Sequence, residues 1–310
     1  MSKTAFIFPG QGSQAVGMGK DLFDNFAAAR EVFEAADEAL GMNLSEMCFA
    51  GNEQDLQLTA NTQPAILTTS IAAFRALEAE GVAMPDYAAG HSLGEYSALV
   101  AAGVIDFADA VRTVRKRGEY MQAAVPVGVG AMAAILGLDV ETIEKGCADA
   151  AQGEVCSPAN INSPTQVVIA GNSEAVDRAC EILKGKGAKR AIRLNVSAPF
   201  HCALMMPAQE RLAADLEDID YAGFRFPVVH NFDSEISLSQ SKVREALAKQ
   251  VSLPVRWLQS MERLASKGVD KFVEVGPGKV LSGLMRQIDR DAKSFNVEDS
   301  ASLRNTLETL

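Results

Sequence analysis

Histidine is scarce in this chain: three among 310 residues, at His91, His201 and His230. Any chemistry that needs an imidazole must draw on these. Cysteine is sparse and unpatterned. Cys48, Cys147, Cys156, Cys180 and Cys202 are odd in number and form no C-x-x-C pair, which argues against a disulfide framework and a zinc site. The thiols read as buried and free in a reducing compartment, and no metal is expected. Positive charge is in deficit. Lys and Arg total 29 against 40 Asp and Glu, a net charge of −11, which does not advertise the basic face that nucleic-acid binding requires. Long apolar runs are missing too. A charge-free stretch near Ala123 to Leu138 carries Pro126, Gly128, Gly130 and Gly137 and falls short of the roughly 20 residues of a membrane helix. Near the start only Ala5 to Phe8 are continuously apolar, too few for a signal peptide. The expectation is a monomeric cytoplasmic protein with neither nucleic-acid nor membrane partners.

What remains is an ordinary globular composition, 48% hydrophobic and 22% charged, in a length that suits a large domain plus a smaller one. The most informative stretch is Gly90-His91-Ser92-Leu93-Gly94. It spells G-x-S-x-G, preceded by the small residues Tyr87-Ala88-Ala89 and followed by a helix-prone run from Glu95 to Ala102. That is the setting of a nucleophile elbow, a strained strand-to-helix turn that lifts a serine hydroxyl to the top of a parallel sheet. Glycines suit its flanks because side chains there would collide with nearby backbone.

The rest of the chain alternates in type. Thr4 to Phe8 reads as a strand, stopped by Pro9-Gly10. Helices are expected over Asp21 to Leu40 and Pro64 to Glu80, with Pro64 in a first turn. Gly103 ends the elbow helix, and Asp106 caps a helix reaching about Ala123. Then the pattern changes. Ala131 to Leu136, Val155 to Ile161, Gln166 to Ala170 and Ala191 to Val196 read as strands. Helices follow Asp139 and Ser173, and Asn162-Ser163-Pro164-Thr165 is a turn cluster. The order β-α-β-β-α-β is that of a ferredoxin-like unit. Val228 to His230 and Lys271 to Val275 resume buried strands. The expected fold is α/β: a hydrolase-like parallel-sheet domain over 1–127 and 198–310, interrupted by a small ferredoxin-like α+β subdomain over 128–197. A cleft between them is the natural place for a ligand.

A serine nucleophile needs a base. His91 adjoins Ser92 in sequence, where side chains at an elbow point apart. His230 ends a strand and reads as structural. His201 lies in the loop Ser197-Ala198-Pro199-Phe200-His201, where the chain returns to the large domain, and is favoured. No aspartate in the expected chain order completes a triad, so a backbone or amide carbonyl is the alternative orienter of the imidazole. Pro9-Gly10-Gln11-Gly12-Ser13-Gln14-Ala15 fits G-x-G-x-x-A after a strand, yet the dinucleotide fingerprint also needs a second strand ending in an acid about 20 residues on, and helix is expected there. The loop reads better as backbone N–H groups presented to an oxyanion. On the helix after Asp106, Arg117 lies nearest the edge of the apolar stripe formed by Phe107, Ala110, Val111, Val114, Gly118 and Met121. It either snorkels to solvent or turns into the cleft to bind a carboxylate.

Phe8 to Gln14, Gly90 to Glu95, Arg117, Ala198 to His201 and Pro254-Val255-Arg256-Trp257 occur together and in order. In this the chain resembles the malonyl-CoA:acyl carrier protein transacylases, stand-alone bacterial acyltransferases of fatty-acid synthesis, over nearly its whole length. The resemblance implies that Ser92 is acylated and that His201 is its base. It implies an oxyanion hole from the main-chain N–H groups of Gln11 and Leu93, and Arg117 on the free malonyl carboxylate. The main-chain carbonyl of Gln250 would orient His201. Phe200 would go with malonyl preference, and Gln63, Asn160 and Asn162 would lie near the pocket. The partners implied are malonyl-CoA as substrate and an acyl carrier protein that brings its own phosphopantetheine, with no cofactor on the enzyme. An acidic carrier would dock on a local basic patch, either Lys184, Lys186, Lys189 and Arg190 or Lys279 and Arg286. The rival readings are a serine esterase or thioesterase with water as acceptor, and a non-catalytic carrier-binding module.

Overall fold

The computed structural model describes residues 2–196 and 198–310. Ser197, the last residue of the expected small unit, lies outside them. Strand β1 (Lys3–Phe8) sets the plan. Phe6 and Phe8 enter one core, while Ala5 and Ile7 enter another. Successive side chains of a strand point to opposite faces, so burial of both sets means that both faces are covered, as in sheets built from crossover connections. Helices α1 (Lys20–Asn25), α2 (Ala27–Leu40), α3 (Leu44–Ala50), α4 (Glu53–Gln57) and α5 (Thr59–Ala79) come next. Phe74 of α5 packs edge-on against Phe6 and Phe8, with centroids 6.3 and 6.4 Å away. Strand β2 (Tyr87–Gly90) then pairs parallel with β1, from Ala5↔Tyr87 to Phe8↔Gly90. It leads into α6 (Gly94–Ala101) and α7 (Phe107–Ala123).

The chain next builds a separate sheet from β3 (Gly130–Leu136), α8 (Val140–Ala151), β4 (Cys156–Ser163), β5 (Gln166–Asn172), α9 (Ser173–Gly185) and β6 (Arg190–Arg193). Its strands are antiparallel in the order β4-β5-β3-β6, the expected ferredoxin-like arrangement. Ala133, Ile135, Val167 and Ile169 pack against the two helices. Met132 and Val168, on the other face, line a cavity. Backbone bonds stitch this sheet to the rest: Ile161 donates to Val255 at 2.9 Å and Val255 to Ala159 at 2.8 Å.

The return segment supplies α10 (Met206–Asp215), β7 (Val228–Val229), β8 (Ile236–Ser237), α11 (Gln240–Lys249), α12 (Trp257–Ser266), β9 (Val269–Val275), α13 (Val280–Ile288), β10 (Lys293–Val297) and α14 (Ser300–Thr309). The large sheet runs β10-β9-β1-β2-β7-β8 and is parallel except for β7–β8. Trp257, Met261 and Leu264 of α12, with Leu281 and Met285 of α13, cover the face that carries Ala5 and Ile7.

Several local expectations are corrected. The helix expected over Asp21 to Leu40 is two, broken where Phe26 is extended (φ −127°, ψ 118°). Pro64 lies inside α5 rather than in its first turn. The extra turn is held by side chains: Thr62 Oγ1 donates to the Leu56 carbonyl at 2.6 Å, and Asn61 Nδ2 to that of Asp55 at 2.8 Å. Strand β4 runs through Ser163, which makes Asn162 a strand residue. Asn172, not Ser173, is the N-cap of α9. Strand β6 stops at Arg193, and Leu194 to Val196 turn to the cavity rim. Asp106 does cap α7, accepting from the N–H groups of Ala108 and Asp109.

Candidate active site

The elbow forms where β2 meets α6. Ser92 has φ 52°, a left-handed conformation that costs energy for a residue with a Cβ. Its neighbours make room. A Cβ on Gly90 would fall 1.8 Å from the Gly94 carbonyl oxygen, and one on Gly94 would fall 2.1 Å from that of Phe8. Asn231, just past β7, clamps the turn: its Oδ1 accepts from the Ser92 N–H at 2.7 Å and its Nδ2 donates to the Gly90 carbonyl at 2.7 Å. The Gly10 loop abuts the elbow, because a Cβ there would lie 2.3 Å from the His91 carbonyl oxygen. Gln11 and Leu93 both line the cavity, and no protein acceptor is found for the main-chain N–H of either among the described residues. Two free donors beside a nucleophile can receive a developing oxyanion.

Ser92 Oγ lies 2.8 Å from Nε2 of His201. Nδ1 of the same ring lies 2.6 Å from the main-chain oxygen of Gln250, so it carries the proton and leaves Nε2 free to accept one. His201 is buried with φ 60°. Burial, and then the charge of Arg117, push its pKa down to about 3, so the ring is neutral at physiological pH. Between the two candidate bases, the structure brings His201 to the serine. His230 instead faces Glu95, with Nδ1 2.8 Å from Oε1.

Arg117 turns inward rather than snorkelling to solvent. It is 1% exposed. Nη1 donates to Gln63 Oε1 at 2.6 Å, and Nη2 donates to Gln250 Oε1 at 2.7 Å and Ser92 Oγ at 3.1 Å. Nε has no partner among the described residues. Burial lowers its pKa, opposed by Tyr96 and Glu95. The cavity it faces measures about 880 Å³. Phe200, Asn160 and Asn162 line it, the two asparagines projecting from β4. Asn162 Oδ1 is 2.9 Å from Nε2 of His91, whose pKa is lowered by burial and whose ring packs on Trp257.

Sequence reasoning missed Glu95 and Asn231. Glu95 is fully buried beneath the elbow and accepts from the Asn231 N–H at 3.1 Å and Gln250 Nε2 at 3.0 Å. The available signal for Asn231 was its place at the carboxyl end of a parallel strand, where such sheets build their sites. The basic clusters are partly spent: Lys184, Lys186 and Lys279 pair with Glu181, Asp149 and Glu298. No helix of the described residues is long and apolar enough to cross a membrane.

Known proteins place this geometry in context. The sequence profile of the acyl transferase domain family matches residues 5–304. The malonyl CoA-acyl carrier protein transacylase of Bacillus subtilis (strain 168) is 48% identical over 311 residues, covering 100% of this chain and 98% of its own. That of Escherichia coli (strain K12) is 49% identical over 308 residues, covering 99% of this chain and 100% of its own. An acyl carrier protein S-malonyltransferase from Vibrio cholerae superposes with TM-score 0.97 at 50% identity, over 98% of this chain and 100% of that one. A malonyl-transacylase solved in complex with a type II PKS acyl-carrier protein does so with TM-score 0.97 at 48% identity, over 100% of both chains.

Proposed function

The chain belongs to the acyl transferase domain family, among the malonyl-CoA:acyl carrier protein transacylases, and from that premise we propose how its own residues carry the reaction. His201 takes the proton of Ser92, whose Oγ attacks the thioester carbonyl of malonyl-CoA. The N–H groups of Gln11 and Leu93 hold the oxyanion, a kind of contact worth roughly 10²–10³ in rate per donor. As the C–S bond breaks, the imidazolium returns its proton to the departing CoA thiolate, and a malonyl ester remains on Ser92. The phosphopantetheine thiol of the acyl carrier protein then gives its proton to His201. The resulting thiolate attacks the ester carbonyl, and Ser92 leaves, reprotonated by His201. Each step balances with these side chains and two thiols, so the mechanism calls on no metal and no bound cofactor. Two half-reactions through one site predict ping-pong kinetics.

The observation that carries the reading is the meeting of two groups at one serine oxygen. Ser92 Oγ has a base 2.8 Å away and a buried guanidinium 3.1 Å away. An esterase for neutral acyl groups has no use for that arginine, whereas a malonyl group brings a carboxylate for it. Gln63 supports Arg117, and Asn160, Asn162 and Phe200 shape the cavity wall. Residues 128–197 are read as the small subdomain closing one side of it. The five cysteines of the chain are all free, as suits a reducing compartment, and the reading includes a cytoplasmic monomer. Intact-mass analysis after mixing with malonyl-CoA tests the mechanism. One malonyl adduct mapping to Ser92, absent from Ser92→Ala and discharged by holo carrier protein, is expected. Release of free malonate at saturating carrier would make the protein a hydrolase.

A further inference from the structure

Three donors converge on a carboxylate that the proposed reaction does not use. Glu95 is fully buried. Its Oε1 lies 2.8 Å from His230 Nδ1, and its Oε2 accepts from the Asn231 N–H at 3.1 Å and from Gln250 Nε2 at 3.0 Å. The oxygen of that same Gln250 amide accepts from Arg117 Nη2 at 2.7 Å. A guanidinium only donates and a carboxylate only accepts, so an amide held between them has one orientation. Among the described residues Arg117 hydrogen-bonds no anion: its partners are Gln63, Gln250 and Ser92, all neutral. Buried charge is costly without an opposite partner, and the opposite charge here stands one amide away.

His230 does not cancel that charge. Its Nε2 is buried and meets no partner among the described residues. A second ring proton there would be buried without an acceptor, so the single proton sits on Nδ1 and points at Glu95.

We propose that Glu95 is the counter-charge of the acyl pocket, relayed to Arg117 through the Gln250 amide, and that it limits how tightly the pocket holds the malonyl carboxylate. The proposal rests on Arg117 as the carboxylate clamp. In the empty pocket the two charges balance. An arriving carboxylate satisfies Arg117 a second time and leaves one net negative charge, which Glu95 opposes. A transferase gains from this, because its acyl group must leave again on the carrier thiol. Glu95 acts through Gln250 and is a positioning residue.

The test is the Glu95→Gln variant, which keeps shape and removes charge. Isothermal titration with malonate is expected to show about tenfold tighter binding, the scale of one charge removed at such a range in a partly screened interior. KM for malonyl-CoA should fall with it and kcat should drop as the malonyl ester is discharged more slowly. Affinity for CoA, which lacks the acyl carboxylate, should stay unchanged. Malonate binding that is unaltered or weaker, or a CoA affinity that moves in step, overturns the proposal. Arg117→Ala separates the two levels of the argument. Loss of malonate binding there with no tightening in Glu95→Gln leaves the clamp standing and removes the counter-charge. Malonate binding retained in Arg117→Ala removes both. If Glu95→Gln does not fold, His230→Leu, which strips Oε1 of its donor and so weakens the hold on the carboxylate, is expected to tighten malonate in the same direction, and an unchanged affinity there is equally fatal.

Discussion

The main-chain oxygen of Gln250 sits 2.6 Å from Nδ1 of His201, in the position where many serine enzymes place a carboxylate. A carbonyl fixes the imidazole tautomer as a carboxylate does, but offers no charge to the imidazolium. The backbone of Gln250 meets the base, while its side chain accepts from Arg117 and donates to Glu95 and to the Ser92 carbonyl.

Gln250→Ala should therefore spare the base and injure the clamp. Labelling of Ser92 by a neutral sulfonyl fluoride should stay within about threefold of the parent, while kcat/KM for malonyl-CoA falls roughly tenfold or more, the scale of a hydrogen bond to a charged group. Equal losses in both assays would mean that the side chain also holds His201.

Arg117→Ala should change selectivity. With the guanidinium gone, kcat/KM for malonyl-CoA is expected to fall about 100-fold or more, and relative use of acetyl-CoA should rise. An unchanged malonyl-to-acetyl ratio would contradict the carboxylate role.

The depressed pKa of His201 makes a signed prediction for rate. Its free-enzyme value of about 3 keeps the base unprotonated, so kcat/KM should be flat from about pH 5 to 8 and show no acid limb near the ordinary histidine value. The second cause of that depression is the Arg117 charge. A bound malonyl carboxylate offsets it and raises the pKa. The acid limb of kcat should then lie at higher pH than that of kcat/KM. Profiles of both against pH decide, and a limb of kcat/KM near 6.5 would refute the reading.

Asn231→Leu should reach both folding and catalysis. It strands the Ser92 N–H and the Gly90 carbonyl, at a cost of about 1–3 kcal/mol for each buried group left unpaired. Thermal unfolding should shift down by several degrees, and kcat should fall more than KM rises as the elbow loses its strained geometry.

The legible parts of this molecule are those where neighbouring residues constrain one another. Gly90 and Gly94 announce the elbow because only glycine fits those contacts, and Asp106 announces its helix by reaching N–H groups two and three residues on. Arg117 was half legible: a helical wheel places it at the stripe's edge but cannot say what lies opposite. The break at Phe26 and the early start of α5 turn on local hydrogen bonds that no periodicity carries. Gln250 as orienter came from family resemblance rather than from pattern. The pairing of Glu95 with Asn231 was illegible because it spans 136 residues of sequence and exists only once β7 lies beside β2.

The backbone stitch between β4 and Val255 has a consequence for engineering. Asn160 and Asn162 line the cavity from a strand whose edge is bonded to the segment before α12, so the four-stranded sheet is not a detachable cassette. Its amide ladder ends in residue 255, 62 positions beyond its last strand. A chimera cut only at the two junctions of the insert would sever that ladder across the pocket wall. To exchange acyl preference between relatives, the segment around Val255 must travel with the insert, even though it belongs to neither of the two cut points.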